Sequence, residues 1–375
     1  MTALYIHIPF CKSKCPYCSF VSFAGMTSDF KRYALAVGSE LAGISENHEK
    51  TVIYSVFFGG GTPTVLGSNE LSELLSCCKD SFYIPDGAEI SVEANPGSVD
   101  LVYFKKLKQA GFNRISLGIQ SFSDIELKTL GRCHDRLEAL KAITQAKNAG
   151  FKNINVDLMY GIPGQTRDSW QRSLETALSH NPQHLSCYQL SIDDGTEYSR
   201  LDKAGQLQLP DEEEIDQMDC LTSRLCGEAG LEQYEISNFA RPGMECRHNI
   251  NYWLNGDYYA VGAGAVSCTA GRRERRAENP RLYCRLIEQK KGTIIASEFL
   301  EKEASFRESV VMGLRMVEGI SRQALFVRYG LDLEEYYGET LERLLKVHLV
   351  VLTSTHLSLS PRGRQVANSV LAELV

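Results

Sequence analysis

The order of apolar runs restricts the fold more than any other feature of this chain. Runs rich in β-branched and aromatic residues read as strands, and periodic apolar faces between them read as helices. The first strand is Leu4-Tyr5-Ile6-His7-Ile8-Pro9-Phe10. Residues 27–46 then set Phe30, Tyr33, Ala34, Val37 and Leu41 on one helical face. Further strands are expected at Val52–Phe58, Glu89–Ala94, Arg114–Ile119, Ile154–Tyr160 and His184–Ser191. Helices are expected between them at Ser68–Ser81, Val99–Ala110, Leu137–Asn148 and Asp168–Ser179. Six strands alternating with helices imply a parallel sheet, closed or open. An eight-fold barrel takes about 250 residues, so six units suggest an incomplete barrel. Periodicity alone does not separate this from a doubly wound sheet.

The first strand runs into Cys11-Lys12-Ser13-Lys14-Cys15-Pro16-Tyr17-Cys18. A loop with three thiolates can wrap one compact soft centre, such as zinc, Cu(I) or an iron–sulfur cluster. A structural zinc site is closed by four ligands, usually in two separated pairs. Here no second pair follows at matching spacing. Three cysteines suit a [4Fe–4S] cluster with one iron left open to a substrate or cofactor. The plain alternative is a turn with ordinary thiols.

Composition fits an ordinary globular protein, with 375 residues, 43% apolar and 23% charged. That length holds one large domain and a smaller one. A net charge of −7 argues against a general nucleic-acid surface. The basic run Arg272-Arg273-Glu274-Arg275-Arg276 reads as a solvated loop. Twelve cysteines, mostly scattered, with no signal peptide or membrane-length run, fit a reduced cytoplasmic protein.

Polar and glycine clusters gather at the expected strand ends, where parallel α/β folds bind ligands. Gly59-Gly60-Gly61-Thr62-Pro63 would let backbone N–H and C=O groups approach a ligand closely. Glu93 is an acid at the inner end of an apolar strand and needs a partner, which a salt bridge inside the barrel could supply. Asp157 is a second acid inside an apolar strand and could accept bonds from ligand hydroxyls. Gln120 and Arg132 stand beyond the next strand, and Arg132 could clamp a carboxylate through two bonds.

The cysteine loop, with aromatic Tyr17 just before its last cysteine, resembles the signature of the radical S-adenosylmethionine (SAM) superfamily. The resemblance implies a partial (β/α)6 barrel with a [4Fe–4S] cluster on Cys11, Cys15 and Cys18. It implies SAM chelating the open iron through its amino and carboxylate groups, with one-electron cleavage yielding a 5′-deoxyadenosyl radical and methionine. Tyr5, Gly60, Gly61, Thr62, Glu93, Gln120, Arg132 and Asp157 match positions that such proteins use around the cofactor.

Across nearly the whole chain the motifs resemble the coproporphyrinogen III dehydrogenase-like (HemN) family. Its oxygen-independent dehydrogenases carry another cysteine two residues beyond the third; here that position is Phe20. This argues against oxidative decarboxylation of coproporphyrinogen III. Phe20 instead matches a sister branch, the HemW haem chaperones, as does His248-Asn249-Ile250-Asn251-Tyr252-Trp253. Imidazole is a common axial ligand of haem iron, and Tyr252 and Trp253 offer flat apolar area. A packed surface hairpin with a capped histidine is the bland reading of that segment. Cys246 is a weaker ligand candidate, and His7 reads as structural; His134 is a further candidate.

The expected organisation is a barrel over 1–195, a connecting region with the haem motif over 196–295, and a mostly helical, winged-helix-like domain over 296–375. The resemblance implies haem as cargo, haem-receiving respiratory proteins as partners, and a homodimer. The expected place of work is the cytoplasm, extending to peripheral contact with a membrane.

Overall fold

In the computed structural model, which describes residues 2–45 and 51–375, six segments with apolar side chains at alternate positions form consecutive parallel strands. They are β1 (Ala3–Ile8), β2 (Ser55–Gly60), β3 (Glu89–Ala94), β4 (Arg114–Gln120), β5 (Asn153–Tyr160) and β6 (His184–Gln189). The helices between them are α1 (Phe30–Ser45), α2 (Ser68–Ser81), α3 (Leu101–Ala110), α4 (Asp124–Thr129), α5 (Arg136–Asn148) and α6 (Arg167–Ser179). The expected cycle is present, with the short α4 added. Position 46, expected to end the first helix, lies outside the described residues. Local chemistry sets the helix ends. Asp100 and Asp135 accept the N–H groups of Tyr103 and Glu138, three residues on, and Gly111 at φ 116° closes α3.

The two faces of the strands differ in chemistry. Leu4, Ile6, Val56, Phe58, Val92, Leu117, Val156 and Leu185 face the helices and are buried. Burial stabilises each such side chain by roughly 1.5–3 kcal/mol. The opposite face, the barrel interior, is polar and internally bonded. Ser116 donates to Asp157 (2.8 Å), and Asn155 donates to Ser116 (2.7 Å) and Ser186 (2.9 Å). Buried polar groups persist when paired in this way.

Beyond β6 the chain continues through α7 (Glu197–Lys203), α8 (Glu212–Glu228), β7 (Glu232–Glu235), β8 (Asn238–Ala240) and α9 (Arg247–Trp253). Then follow β9 (Tyr258–Val261), β10 (Val266–Thr269), β11 (Arg272–Arg276), α10 (Pro280–Glu288) and β12 (Ile294–Phe299). Strand β9 pairs parallel with β1, Leu4 opposite Tyr259. Strand β8 pairs antiparallel with β6. Among the described residues the sheet therefore has twelve strands, in the order β12-β11-β10-β9-β1-β2-β3-β4-β5-β6-β8-β7.

The run Arg272–Arg276, expected as a solvated loop, is strand β11. Arg276 is buried and donates from Nε to Glu40 of α1 at 2.7 Å. The opposite charge on α1 draws the end of the run inward.

The last part of the chain holds α11 (Lys302–Gly313), α12 (Arg322–Tyr329), α13 (Leu333–Lys346), β13 (Val350–Leu352), β14 (His356–Leu359), α14 (Pro361–Gln365) and α15 (Ala367–Ala372). Strand β14 pairs with β13 and with Ile320–Ser321, giving the winged-helix-like sheet expected there. Its own core includes Phe306, Val310, Leu325, Leu341 and Leu357. The segment meets the main sheet edge-on. Ile236 N–H donates to Arg315 O (3.1 Å), and Val317 N–H donates to Tyr234 O (3.0 Å). No described helix is long and apolar enough to cross a membrane, and all twelve cysteines are free.

Candidate functional site

The polar face of the barrel opens, at the C-terminal ends of the strands, into a cavity of about 460 Å³. Cys11, Cys15 and Cys18 line it, together with Tyr17, Gly60, Gly61, Thr62, Glu93, Gln120, Arg132 and Asp157. Residues spread over nearly 150 positions thus meet in one place: most lie on or just after the parallel strands, and Arg132 reaches in from the loop between α4 and α5.

The cysteine loop starts on a short strand pair, Phe10–Cys11 with Phe23–Ala24. Lys14 ties it back, donating to the Ser22 hydroxyl at 2.8 Å. Thr62 Oγ1 donates to Cys11 Sγ (3.7 Å), and Arg132 Nη1 donates to Cys15 Sγ (3.6 Å). Burial pushes the Cys11 thiol up, and the Thr62 bond opposes this. Among the described residues no three His, Cys, Asp or Glu side chains converge where one metal ion would sit. Three soft sulfur donors on one short loop, with Cys133 as a further thiol in the wall, fit a polynuclear iron–sulfur centre better than a single ion.

The rest of the cavity is polarised. Burial, then the charge of Asp157, pushes the Glu93 carboxyl up to about 8. Burial raises Asp157 as well, opposed by its bonds to Ser116, Ser186 and Asn155. A carboxyl that keeps its proton beside Asp157 can release it to a cationic ligand that enters this poorly solvated space. At the cysteine end Arg132 donates to Gly118 O (2.8 Å) and to Asn95 Oδ1. Its Nε is buried without a protein partner. Acids inside and a guanidinium beside the thiols suit a ligand carrying both a cationic centre and a carboxylate. SAM, with its sulfonium, ammonium and carboxylate, fits that donor set.

The glycine run works differently from its expected role. The N–H of Gly61 donates to Ile8 O (2.8 Å) and that of Thr62 to Phe10 O (2.7 Å). The N–H of Gly60 donates to Glu93 Oε2 (3.2 Å). These N–H groups are therefore engaged within the protein, which leaves the carbonyls and the open surface to a ligand. Gly60 has φ 111°, and a Cβ there would come within 2.5 Å of the His7 ring. Gln120 holds φ 69° at a bulge in β4, a costly conformation for a non-glycine residue that turns the strand end into the cavity.

Tyr5 and His248 lie outside the cavity lining. Tyr5 donates its hydroxyl to His7 Nδ1 (3.1 Å) on the polar face beneath the pocket. His248 is on α9, a helix rather than a hairpin, which closes the opposite end of the barrel. It is 1% exposed. Its Nδ1 meets Ser55 Oγ at 3.1 Å and its Nε2 meets Tyr252 OH at 3.1 Å. Burial, then Arg114, brings its pKa down to about 3. Haem ligation by this imidazole would require breaking one of those bonds and opening the barrel base. Cys246 is buried beside Glu89, with Sγ to Oε1 at 3.4 Å. Trp253 lies under the Arg315 guanidinium, 4.7 Å from its ring centre.

Sequence reasoning missed Asn95, whose side chain links Thr62 (2.8 Å) to Arg132. Its place at a strand end, before Pro96, was the available signal. Tyr188 and Cys133 also line the cavity and were not singled out as site residues.

Comparison with known proteins agrees with this geometry. The profile of the radical SAM superfamily matches residues 5–177, and that of the HemN C-terminal domain matches residues 300–366. The chain is 33% identical to the protein named Heme chaperone HemW of Bacillus subtilis (strain 168), over 99% of this chain and 98% of that protein. It is 38% identical to the Heme chaperone HemW of Escherichia coli (strain K12), over 74% of each. In solved structures, coproporphyrinogen III oxidase (HemN) from Escherichia coli shares the fold with TM-score 0.86 and 22% identity, covering 100% of this chain and 89% of that one.

Proposed function

The chain belongs to the HemW family within the radical SAM superfamily, and from that membership we propose that it is a haem chaperone. In this reading it binds haem and passes it to haem proteins of respiration. It carries a [4Fe–4S] cluster on Cys11, Cys15 and Cys18, with SAM in the adjoining cavity. The observation that carries the reading is the cavity itself, where the three thiols of the loop, two acids and one guanidinium meet beside Phe20. Bound together, the cluster and SAM would supply a sulfonium that one electron can cleave. The chain's own residues bind and orient. Glu93 and Asp157 would hold the cationic end of the ligand and Arg132 its carboxylate, while Thr62 and Arg132 donate to the Cys11 and Cys15 sulfurs. Gln120 and Tyr17 complete the wall.

Phe20 separates this reading from oxidative decarboxylation of coproporphyrinogen III. A phenyl ring supplies neither a ligand nor a reactive thiol where the dehydrogenases carry cysteine. A homodimer and recipients among respiratory haem proteins belong to the same proposal.

The test is anaerobic reconstitution with iron and sulfide, followed by haem titration and an assay of coproporphyrinogen III conversion. Stoichiometric haem uptake without conversion supports the chaperone. Conversion that depends on Cys11, Cys15 and Cys18, without specific haem uptake, replaces it with the decarboxylase.

A further inference from the structure

The barrel base holds His248 with both nitrogens bonded, so the iron of a haem cargo needs a different place. The mouth of the cofactor cavity offers one. Phe20 is 67% exposed there, and Tyr188 at the end of β6 is 39% exposed. Both line the same cavity as the cluster cysteines. Phe20 is held in position by its surroundings. Lys14 Nζ donates to its carbonyl (2.5 Å), and the preceding Ser19 donates to Asp193 (2.6 Å). The segment that carries the ring is fixed by these bonds, and the ring offers a flat apolar face at the rim of the cavity.

Two further groups on this rim match a haem. The exposed thiol of Cys133 lines the cavity and is fixed to the cluster loop, Sγ to Ser13 Oγ at 3.0 Å. Thiolate is one of the axial ligands haem iron takes. Lys12 also lines the cavity, and its ammonium bonds only weakly to an exposed carbonyl, Gly97 O at 3.3 Å. It is free to meet a propionate.

We propose that the haem cargo rests across the mouth of the cofactor cavity. Its porphyrin face lies on Phe20 and Tyr188, a propionate meets Lys12, and Cys133 supplies the axial sulfur. On ligation the thiol gives its proton to solvent and the iron gains one Fe–S bond; no electron is transferred. This placement rests on the chaperone reading. It also gives Phe20 a direct role, since a cysteine at that position would remove the platform.

The experiment uses the full chain, reconstituted anaerobically and titrated with haem by absorbance and ferric electron paramagnetic resonance. Phe20→Ala should weaken haem binding about ten-fold, the scale of one lost aromatic stacking contact, with iron and sulfide per chain unchanged. Cys133→Ser should remove the thiolate signature from the haem spectra. His248→Gln should leave those spectra as they are. Unchanged affinity in Phe20→Ala together with unchanged spectra in Cys133→Ser would overturn the placement. So would loss of the axial-ligand signature in His248→Gln with the fold and cluster intact. A parent chain that takes up no haem would instead bring down the chaperone reading and the placement with it.

Discussion

Gly60 donates its N–H to the Glu93 carboxylate at 3.2 Å, the direct hydrogen bond that the protein supplies to that acid inside the cofactor cavity. It does not offset burial and the nearby charge of Asp157, which together bring the carboxyl from 4.5 up to about 8. Between those two values the folded chain holds a proton that the unfolded chain has released. Stability of the ligand-free chain therefore falls as pH rises from 4.5 to about 8, and the penalty is complete above that. Chemical denaturation across this range should show the fall, and Glu93→Gln should flatten it. Binding of a cationic ligand should release the proton, so SAM affinity should rise toward pH 8. Calorimetry in two buffers of different ionisation enthalpy measures that release, and no proton release at pH 7 would contradict the assignment.

Arg132 should control the electronic state of the cluster more than its assembly. Its Nη1 lies 3.6 Å from Cys15 Sγ, while Nη2 is anchored by Gly118 O and Asn95. Removing this charge with Arg132→Gln leaves the three thiols in place but destabilises the reduced, more negative cluster. The reduction potential should move negative by about 50 mV, equivalent to roughly 1 kcal/mol for one electron. A potentiometric titration checks it, and iron and sulfide content should match the parent. Failure to assemble any cluster would show that Arg132 shapes the loop instead.

Glu40 should be one of the most sensitive positions outside the site. It accepts from Arg276 Nε (2.7 Å), Thr293 Oγ1 (2.8 Å), Gly262 N–H (3.0 Å) and Tyr283 OH (2.5 Å). One carboxylate thus joins α1 to β11, α10 and the loop after β9. Glu40→Ala leaves a buried guanidinium without its partner, which costs about 3–5 kcal/mol. Denaturant unfolding reads this directly. A loss below about 1 kcal/mol, the range of exposed ion pairs, would mean that solvent reaches Arg276.

These contacts mark where sequence reading succeeds and where it stops. The bounds of α2 and β3 coincide with those read from apolar periodicity, because burial on one face is written locally. The polar residues that meet in the cavity were legible for a related reason: most interrupt or follow an apolar strand, and the parallel sheet brings strand ends together. The pairing of Leu4 with Tyr259 was not legible, since it joins residues more than 250 positions apart through a strand of only four residues. Arg276 read as solvated because the acid that buries it stands on α1. The segment around His248 read as a haem-binding motif, with a surface hairpin as the alternative, although its partners Ser55 and Glu89 lie on strands of the barrel interior. The engagement of the Gly61 and Thr62 N–H groups with β1 and the strand after it depends on the same long-range register.

His248 gives the last prediction, and its direction is opposite to that of Glu93. Its pKa falls from 6.5 to about 3, burial first and Arg114 second. Between those values the unfolded chain binds a proton that the folded chain refuses. Stability should therefore fall as pH drops from 6.5 toward 3, a loss shared with His134, which burial brings to about 4. His248→Ala leaves the hydroxyls of Ser55 and Tyr252 without their imidazole partner and should cost about 1–3 kcal/mol at pH 7. His248→Gln retains a donor and an acceptor and cannot take the proton. It should recover part of that loss at pH 7 and reduce the acid-side slope. Paired denaturation curves at pH 7 and pH 5 test both effects. An alanine variant as stable as the parent, with an unchanged slope, would show that this imidazole does not brace the barrel base.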